Sequence, residues 1–278
     1  MTMKTLKSLD ISSLTIMTTA INIILSIIIS VIIVIILGIA APTSILAVII
    51  FIPAIICGTI LVSVYKTFIQ GFLYNLISTK TPISIVLEDD GAISKISPTS
   101  TAIVVSVITT IIAILELIIL MIIVPILLGT IIQTMMLAGQ SVIAYTLYQI
   151  MMMVSSPTFI FALIVGGFII TFIYTLIGAY LYNYLGGKGK GAKVEIDNNS
   201  SLKSVNIMSL AIVTAVISLI LGLITGIIMA ISSGQYIEII VYAVGSLIAG
   251  FVVAAILAAL YNALAPRSGE IKFELIDE

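Results

Sequence analysis

Few residues of this chain are of a type that does chemistry, and where they stand matters more than how many there are. Glu116 is the one acidic side chain well inside an apolar run. An ionised group at membrane depth is costly to keep, so such a residue reads as a functional site. Lys66 lies in a second apolar run, close enough to its polar end to snorkel out of it. Asn22, Thr109 and Ser218 are neutral polar residues at matching depths of three runs. They form a candidate polar ring, able to hydrate an axis or to bridge helices by hydrogen bonds. The chain has no His, which removes the commonest general base and metal ligand. Its single Cys57 cannot form a disulfide within one chain. The run Gly186-Gly187-Lys188-Gly189-Lys190-Gly191 lacks the G-x-x-x-x-G-K-[ST] pattern and follows a helix, so it is not a phosphate-binding loop. No residues are spaced as a metal cluster, a carboxylate pair or a nucleophile with its base. The expectation is a protein with no catalytic, cofactor-binding or metal site, and not an enzyme.

These positions are set by a repeat. Leu73-Tyr74-Asn75 returns as Leu181-Tyr182-Asn183 and as Leu260-Tyr261-Asn262, each copy closing an apolar run. Each is followed by a polar stretch and then an alternating segment: 83–88, 192–197 and 271–276. Each unit also opens alike, with Leu9-Asp10-Ile11, Ile96-Ser97-Pro98 and Val205-Asn206-Ile207. Asp10, Ser97 and Asn206 are N-cap residue types, and Pro98 suits a first helical position. The chain divides into three tandem two-span units, 1–90, 91–199 and 200–278, and such internal repetition governs the reading of the whole fold.

The chain is 61% hydrophobic and 8% charged, with mean hydropathy +1.37, against the roughly 25% charged residues of soluble domains. Six spans follow, at about 11–38, 44–77, 98–124, 157–185, 207–232 and 237–264, each near the ~20 residues a bilayer requires. Pro53 is expected to break the second run. An insertion at about 126–157 reads as an interfacial or re-entrant piece on the extracytoplasmic side. The Lys and Arg residues, 11 in all, lie toward the polar ends of the units, which puts both termini in the cytoplasm of a multi-pass cell-membrane protein.

On that face the alternating segments read as strands. Asp89-Asp90-Gly91 and Asn198-Asn199-Ser200-Ser201 are hairpin turns between successive units, and segments 4–9 and 271–276 remain to pair with each other, closing a ring of three hairpin-like pairs. The fold class expected is an all-α integral membrane protein: six helices as three tandem two-helix repeats with pseudo-threefold symmetry, plus a small cytoplasmic β cap of short hairpins. Counting back in fours from each motif Asn gives only small residues: Gly71, Thr67, Ser63 and Thr59; Ala179, Thr175, Thr171 and Gly167; Ala258, Ala254, Gly250 and Ser246. Such a ridge lets membrane helices approach closely, so bulk at Gly167 or Gly250 is expected to destabilise. The motif Asn residues could ring the axis, cap their own helices or bond the backbone.

Pro98-Thr99-Ser100, Ala179-Tyr180-Leu181-Tyr182-Asn183 and Gly186-Gly187 resemble a family of two-span bacterial membrane domains of actinobacterial type, whose function is unknown. That family opens with Pro-x-Ser and closes with Ala-x-Leu-Tyr-Asn, then Gly-Gly. The first and third units keep Leu-Tyr-Asn and lack the Pro and the Gly pair. The resemblance implies an architecture and no activity, and suggests that the single unit assembles as a trimer. Two function classes remain. One is a non-enzymatic structural or scaffold protein whose partners are the lipid bilayer and other membrane proteins, with no nucleic acid. The other is a channel or transporter with a path along the pseudo-threefold axis.

Overall fold

The computed structural model describes residues 2–40, 45–197 and 200–277. The chain forms two compact units, one of Met1–Thr101 with Leu176–Glu278, the other of Ala102–Thr175. Among the described residues, six helices are long and apolar enough to cross a membrane.

In the first unit the alternating segments are all strands: β1 (Thr2–Leu9), β2 (Ile83–Leu87), β3 (Ala92–Ile96), β4 (Ala192–Asp197), β5 (Ser201–Val205) and β6 (Ile271–Asp277). They close into one antiparallel barrel in chain order, β6 returning to β1. This overturns the expected all-α fold with a small cap of short hairpins. The pairs β2–β3, β4–β5 and β6–β1 are present, but β1–β2, β3–β4 and β5–β6 join them into a continuous sheet. The reason is backbone satisfaction. A separate hairpin leaves two edges with unpaired N–H and C=O groups, and closure removes them all.

Each odd-numbered strand leads straight into a helix, and each carries an irregularity at the same place. The register slips at Lys7 between Leu6 and Ser8, at Ser94 between Ile93 and Lys95, and at Lys203 between Leu202 and Ser204. A β-bulge bends a strand and sharpens its twist. Here it turns each leading strand from the barrel wall toward its helix.

The first unit holds α1 (Ile11–Ala40), α2 (Ile45–Ser78), α7 (Ile207–Ser233) and α8 (Ile237–Ser268). α1 packs on α2, α7 on α8, and α8 also on α1. α2 runs through Pro53 without the expected break. The outer turn at 41–44 and Asn198-Asn199 of the expected second hairpin turn lie outside the described residues. The small stripe of α8 meets α7 at close range: a Cβ on Gly250 would stand 2.4 Å from Ser218 Oγ, and one on Gly222 would stand 2.6 Å from Ser246 Oγ. Gly222 and Gly226 form a G-x-x-x-G pair on α7, and Gly226 leaves room for the Ile239 Cα. Gly71 of α2 likewise faces Ile11 and Leu14 of α1. Below these contacts Met17, Ile21, Tyr261 and Ala265 form a buried cluster with Leu202 and Ile271 beside it, joining α1, α8 and the barrel.

The second unit contains most of α3 (Pro98–Leu137), then α4 (Ser141–Val154), α5 (Pro157–Phe161), a π turn at Ala162–Gly166 and the first part of α6 (Gly167–Leu185). α3 continues through Pro125 well past the expected end of its span. The insertion is therefore the end of α3 plus α4, whose 14 residues are too few to cross ~30 Å of hydrocarbon. Ser156 caps α5, accepting from the Phe159 N–H at 3.2 Å.

The stripe argument divides at its two glycines. Nothing lies within 4 Å of a Cβ on Gly167, so bulk there has no helix to displace. Gly250→Leu is expected to lower stability by ~1–3 kcal/mol through overpacking, with Gly167→Leu near wild type. Thermal melting of both variants in detergent checks this, and equal melting would refute the packing account.

Candidate functional site

The repeat motif builds one constellation three times, at the fork where each leading strand leaves the barrel. Within a unit, β1 and β2 stay paired only as far as Leu6 with Ile83, β3 and β4 as far as Ile93 with Ala192, and β5 and β6 as far as Leu202 with Ile271. Beyond that rung the leading strand goes on three residues to its helix, with one backbone edge open. The motif side chains close this edge.

Asn supplies the missing partner strand. The Leu9 N–H donates to Asn75 Oδ1 at 2.8 Å, and Asn75 Nδ2 donates to the Leu9 carbonyl at 2.8 Å. Asn183 makes the same pair of bonds to Ile96, at 2.8 and 2.9 Å. Asn262 makes them to Val205, at 2.9 and 2.7 Å. A side-chain amide has a donor and an acceptor side by side, so it mimics one residue of an antiparallel strand. Leu, Asp or Lys at this position would lose at least one of the two bonds.

Tyr inserts its hydroxyl into the last rung. Tyr74 donates to the Leu6 carbonyl at 2.7 Å and is bonded by the Ile83 N–H. Tyr182 donates to the Ile93 carbonyl at 2.7 Å and accepts from the Ala192 N–H at 3.2 Å. Tyr261 donates to the Leu202 carbonyl and accepts from the Ile271 N–H at 3.3 Å. In each case the hydroxyl bridges two residues that face each other across the strands, binding the carbonyl of one and the N–H of the other. Leu73 is buried and Leu260 packs on the cluster around Met17, while Leu181 is half-buried. One turn past each Asn stands Ser78, Gly186 or Ala265. Ser78 Oγ donates to the carbonyl of the bulged Lys7 at 2.8 Å. A Cβ on Gly186 would lie 2.1 Å from the carbonyl oxygen of the bulged Ser94, so no larger residue fits there.

The helix starts tie each unit to the one before it, in a cycle. The Asp10 N–H donates to the Lys272 carbonyl, the Ser97 N–H to that of Ser84 and the Asn206 N–H to that of Lys193, each at 2.9 Å. Asp10 and Asn206 cap their helices as expected, accepting from the Ser13 N–H at 2.7 Å and the Ser209 N–H at 2.9 Å. Ser13 and Ser209 in turn accept from the Lys272 and Lys193 N–H groups, both at 2.9 Å. Ser97 differs from the expected cap, since its hydroxyl itself accepts the strand N–H of Ser84 at 3.1 Å. The Asp10 carboxyl is held below the usual carboxylate range, first by the Ser13 N–H, then by the Ser13 side chain, against a small opposing effect of burial. Lys7 lowers Glu274 in the same direction and Lys193 lowers Asp90, through bonds of 2.9 and 2.7 Å.

The other sequence candidates fall elsewhere. Asn22 Nδ2 donates to Ser63 Oγ at 2.9 Å, joining α1 to α2. Ser218 packs on Gly250, joining α7 to α8. Thr109 is an exposed residue of α3 and Glu116 a half-buried one, both in the second unit. The sequence reading left open which backbone groups Tyr and Asn bind. Their near-constant distance from the alternating segment was the available signal. Among the described residues no group of His, Cys, Asp or Glu could hold a metal ion. No family model, curated protein or solved structure matches this chain.

Two outcomes follow. Asn262→Leu strands the Val205 N–H and carbonyl and is expected to cost ~2–4 kcal/mol, whereas Tyr182→Phe removes one relaying hydroxyl and costs ~1 kcal/mol. Chemical or thermal unfolding in detergent measures both, and the reverse order would sink the proposed latch. For Asp10 the folded pKa is depressed, so its contribution is present above the ordinary value of 3.8 and is lost as pH falls through the lower folded value. Wild type is expected to lose stability in that acid window, and Asp10→Asn, which still accepts the Ser13 N–H, to lose less.

Proposed function

We propose that this chain is a non-enzymatic multi-pass protein of the cell membrane that serves as a scaffold, its barrel forming a fixed cytoplasmic platform on the spans. The observation that carries this reading is the threefold Tyr-Asn latch. The repeated polar side chains, which in a transporter would line a site, are here engaged with backbone. The contacts of Asn22 with Ser63 and of Ser218 with Gly250 support the same reading, since both serve helix packing. The basic residues on the barrel side support a cytoplasmic barrel and cytoplasmic termini. The three-unit division and the likeness to two-span domains of unknown function support descent from a trimer of single units.

Two measurements test it. In a Cys57→Ser background, an impermeant thiol reagent applied to intact cells should label Gln140→Cys but not Asp89→Cys, both exposed positions. The opposite pattern would invert the orientation. In proteoliposomes, ion and small-solute flux should not exceed that of empty vesicles. A flux abolished by joint replacement of Asn22, Thr109 and Ser218 with Leu, through dewetting of an axial path, would make the protein a channel instead.

A further inference from the structure

A basic residue stands five places past each motif Asn: Lys80, Lys188 and Arg267. The repeat that builds the latches therefore also places a cation. All three belong to the first unit and all three are exposed. The latch bonds hold the three Asn residues at equivalent forks of the barrel, so the cations follow at the barrel ends of the three returning helices. Five residues of helix rise ~7 Å, close to the depth of one headgroup layer when ~40–45 Å of bilayer encloses ~30 Å of hydrocarbon.

Two simpler accounts fall short. Helix C-termini favour cations, yet α1, α3 and α7 carry none in their last turns. Membrane topology asks only for cations on one side, which Lys4, Lys7 and Lys95 already supply. Neither explains one fixed offset in three units. The charges are also available. Lys4, Lys7, Lys193 and Lys203 are held in ion pairs, whereas no carboxylate among the described residues pairs with Lys80, Lys188 or Arg267. Lys188 has a neutral partner: its Nζ donates to the Tyr184 hydroxyl at 2.6 Å and stands 4.2 Å from the ring centroid. That contact fixes the ammonium and leaves two of its three donors.

The surface beside each cation selects the ligand. Four residues before it stand Leu76, Tyr184 and Ala263, and four before those Phe72, Tyr180 and Ala259, all exposed. Each returning helix thus presents a stripe without charge that ends in a cation. An amphiphile with an anionic head matches both parts, its chains along the stripe and its phosphate on the cation. We propose that Lys80, Lys188 and Arg267 form three equivalent binding sites for the phosphate of an anionic phospholipid, spaced around the barrel. These sites rest on the reading of the helices as spans and hold for a scaffold and a channel alike.

The test uses the full chain in mild detergent, with phosphatidylglycerol as the probe and native mass spectrometry and thermal melting as readouts. Wild type should retain up to three phosphatidylglycerol molecules and melt higher with them, and phosphatidylcholine or inorganic phosphate should do neither. Lys80→Gln, Lys188→Gln and Arg267→Gln should each weaken one site about fivefold, the worth of one interfacial cation. The triple variant should lose the preference for phosphatidylglycerol while melting as wild type without lipid. Lys80→Arg should keep its site, and Lys95→Gln, on the barrel wall, should behave as wild type. Equal retention of phosphatidylcholine, the same melting shift from inorganic phosphate, or undiminished retention in the triple variant would overturn the proposal. Reconstitution into phosphatidylcholine vesicles tests the spans by themselves: failure to insert refutes that reading and the sites with it, whereas insertion without any preference for phosphatidylglycerol refutes the sites alone.

Discussion

The constraint on which this structure depends is the satisfaction of backbone groups where strand gives way to helix. Three strands leave a closed barrel to begin a span, and each departure exposes an edge of N–H and carbonyl groups beside an apolar core. An unpaired buried backbone group costs ~1–3 kcal/mol, so three open forks would erase most of a domain's margin of 5–15 kcal/mol. The chain meets this with a side chain that imitates backbone, the Asn amide, and one that relays a bond, the Tyr hydroxyl. Both come from the end of the returning helix, so the latch also fixes where that helix stops.

The latches act within a unit, whereas the helix caps act between units. Asp10 is bound to β6, Ser97 to β2 and Asn206 to β4, so each unit is held by the one before it and the first by the last. Long-range pairing of this kind makes barrel closure cooperative. Lys272 and Lys193 show how a strand residue can hold the next unit through its backbone alone, leaving its side chain to the surface. The exposed cross-strand ion pairs, such as Lys7 with Glu274, add little to this because solvent screens them.

Above the barrel, small residues and glycines carry the packing. Membrane helices gain no hydrophobic energy by meeting, so close approach through Gly222, Gly226 and Gly250 and an occasional polar bridge such as Asn22 to Ser63 hold them together. The α1–α2 pair departs from the tight α7–α8 pair at Gly58, where an added Cβ would meet nothing within 4 Å.

The sequence by itself determined the local elements and their repetition. Six apolar runs longer than the bilayer needs, three Leu-Tyr-Asn ends, cap residues at Asp10 and Asn206 and alternating segments after each returning helix are all patterns within a short stretch of chain, where residue type and spacing decide the outcome. Only the tertiary structure decided what those elements join. That Asn75 meets Leu9 and that β1 seals against β2 as well as β6 depend on groups far apart in sequence. The separation also explains why hairpins were legible and the barrel was not: a turn such as Asp89-Asp90-Gly91 encodes a local pairing, whereas closure follows from the requirement that every remaining edge be paired.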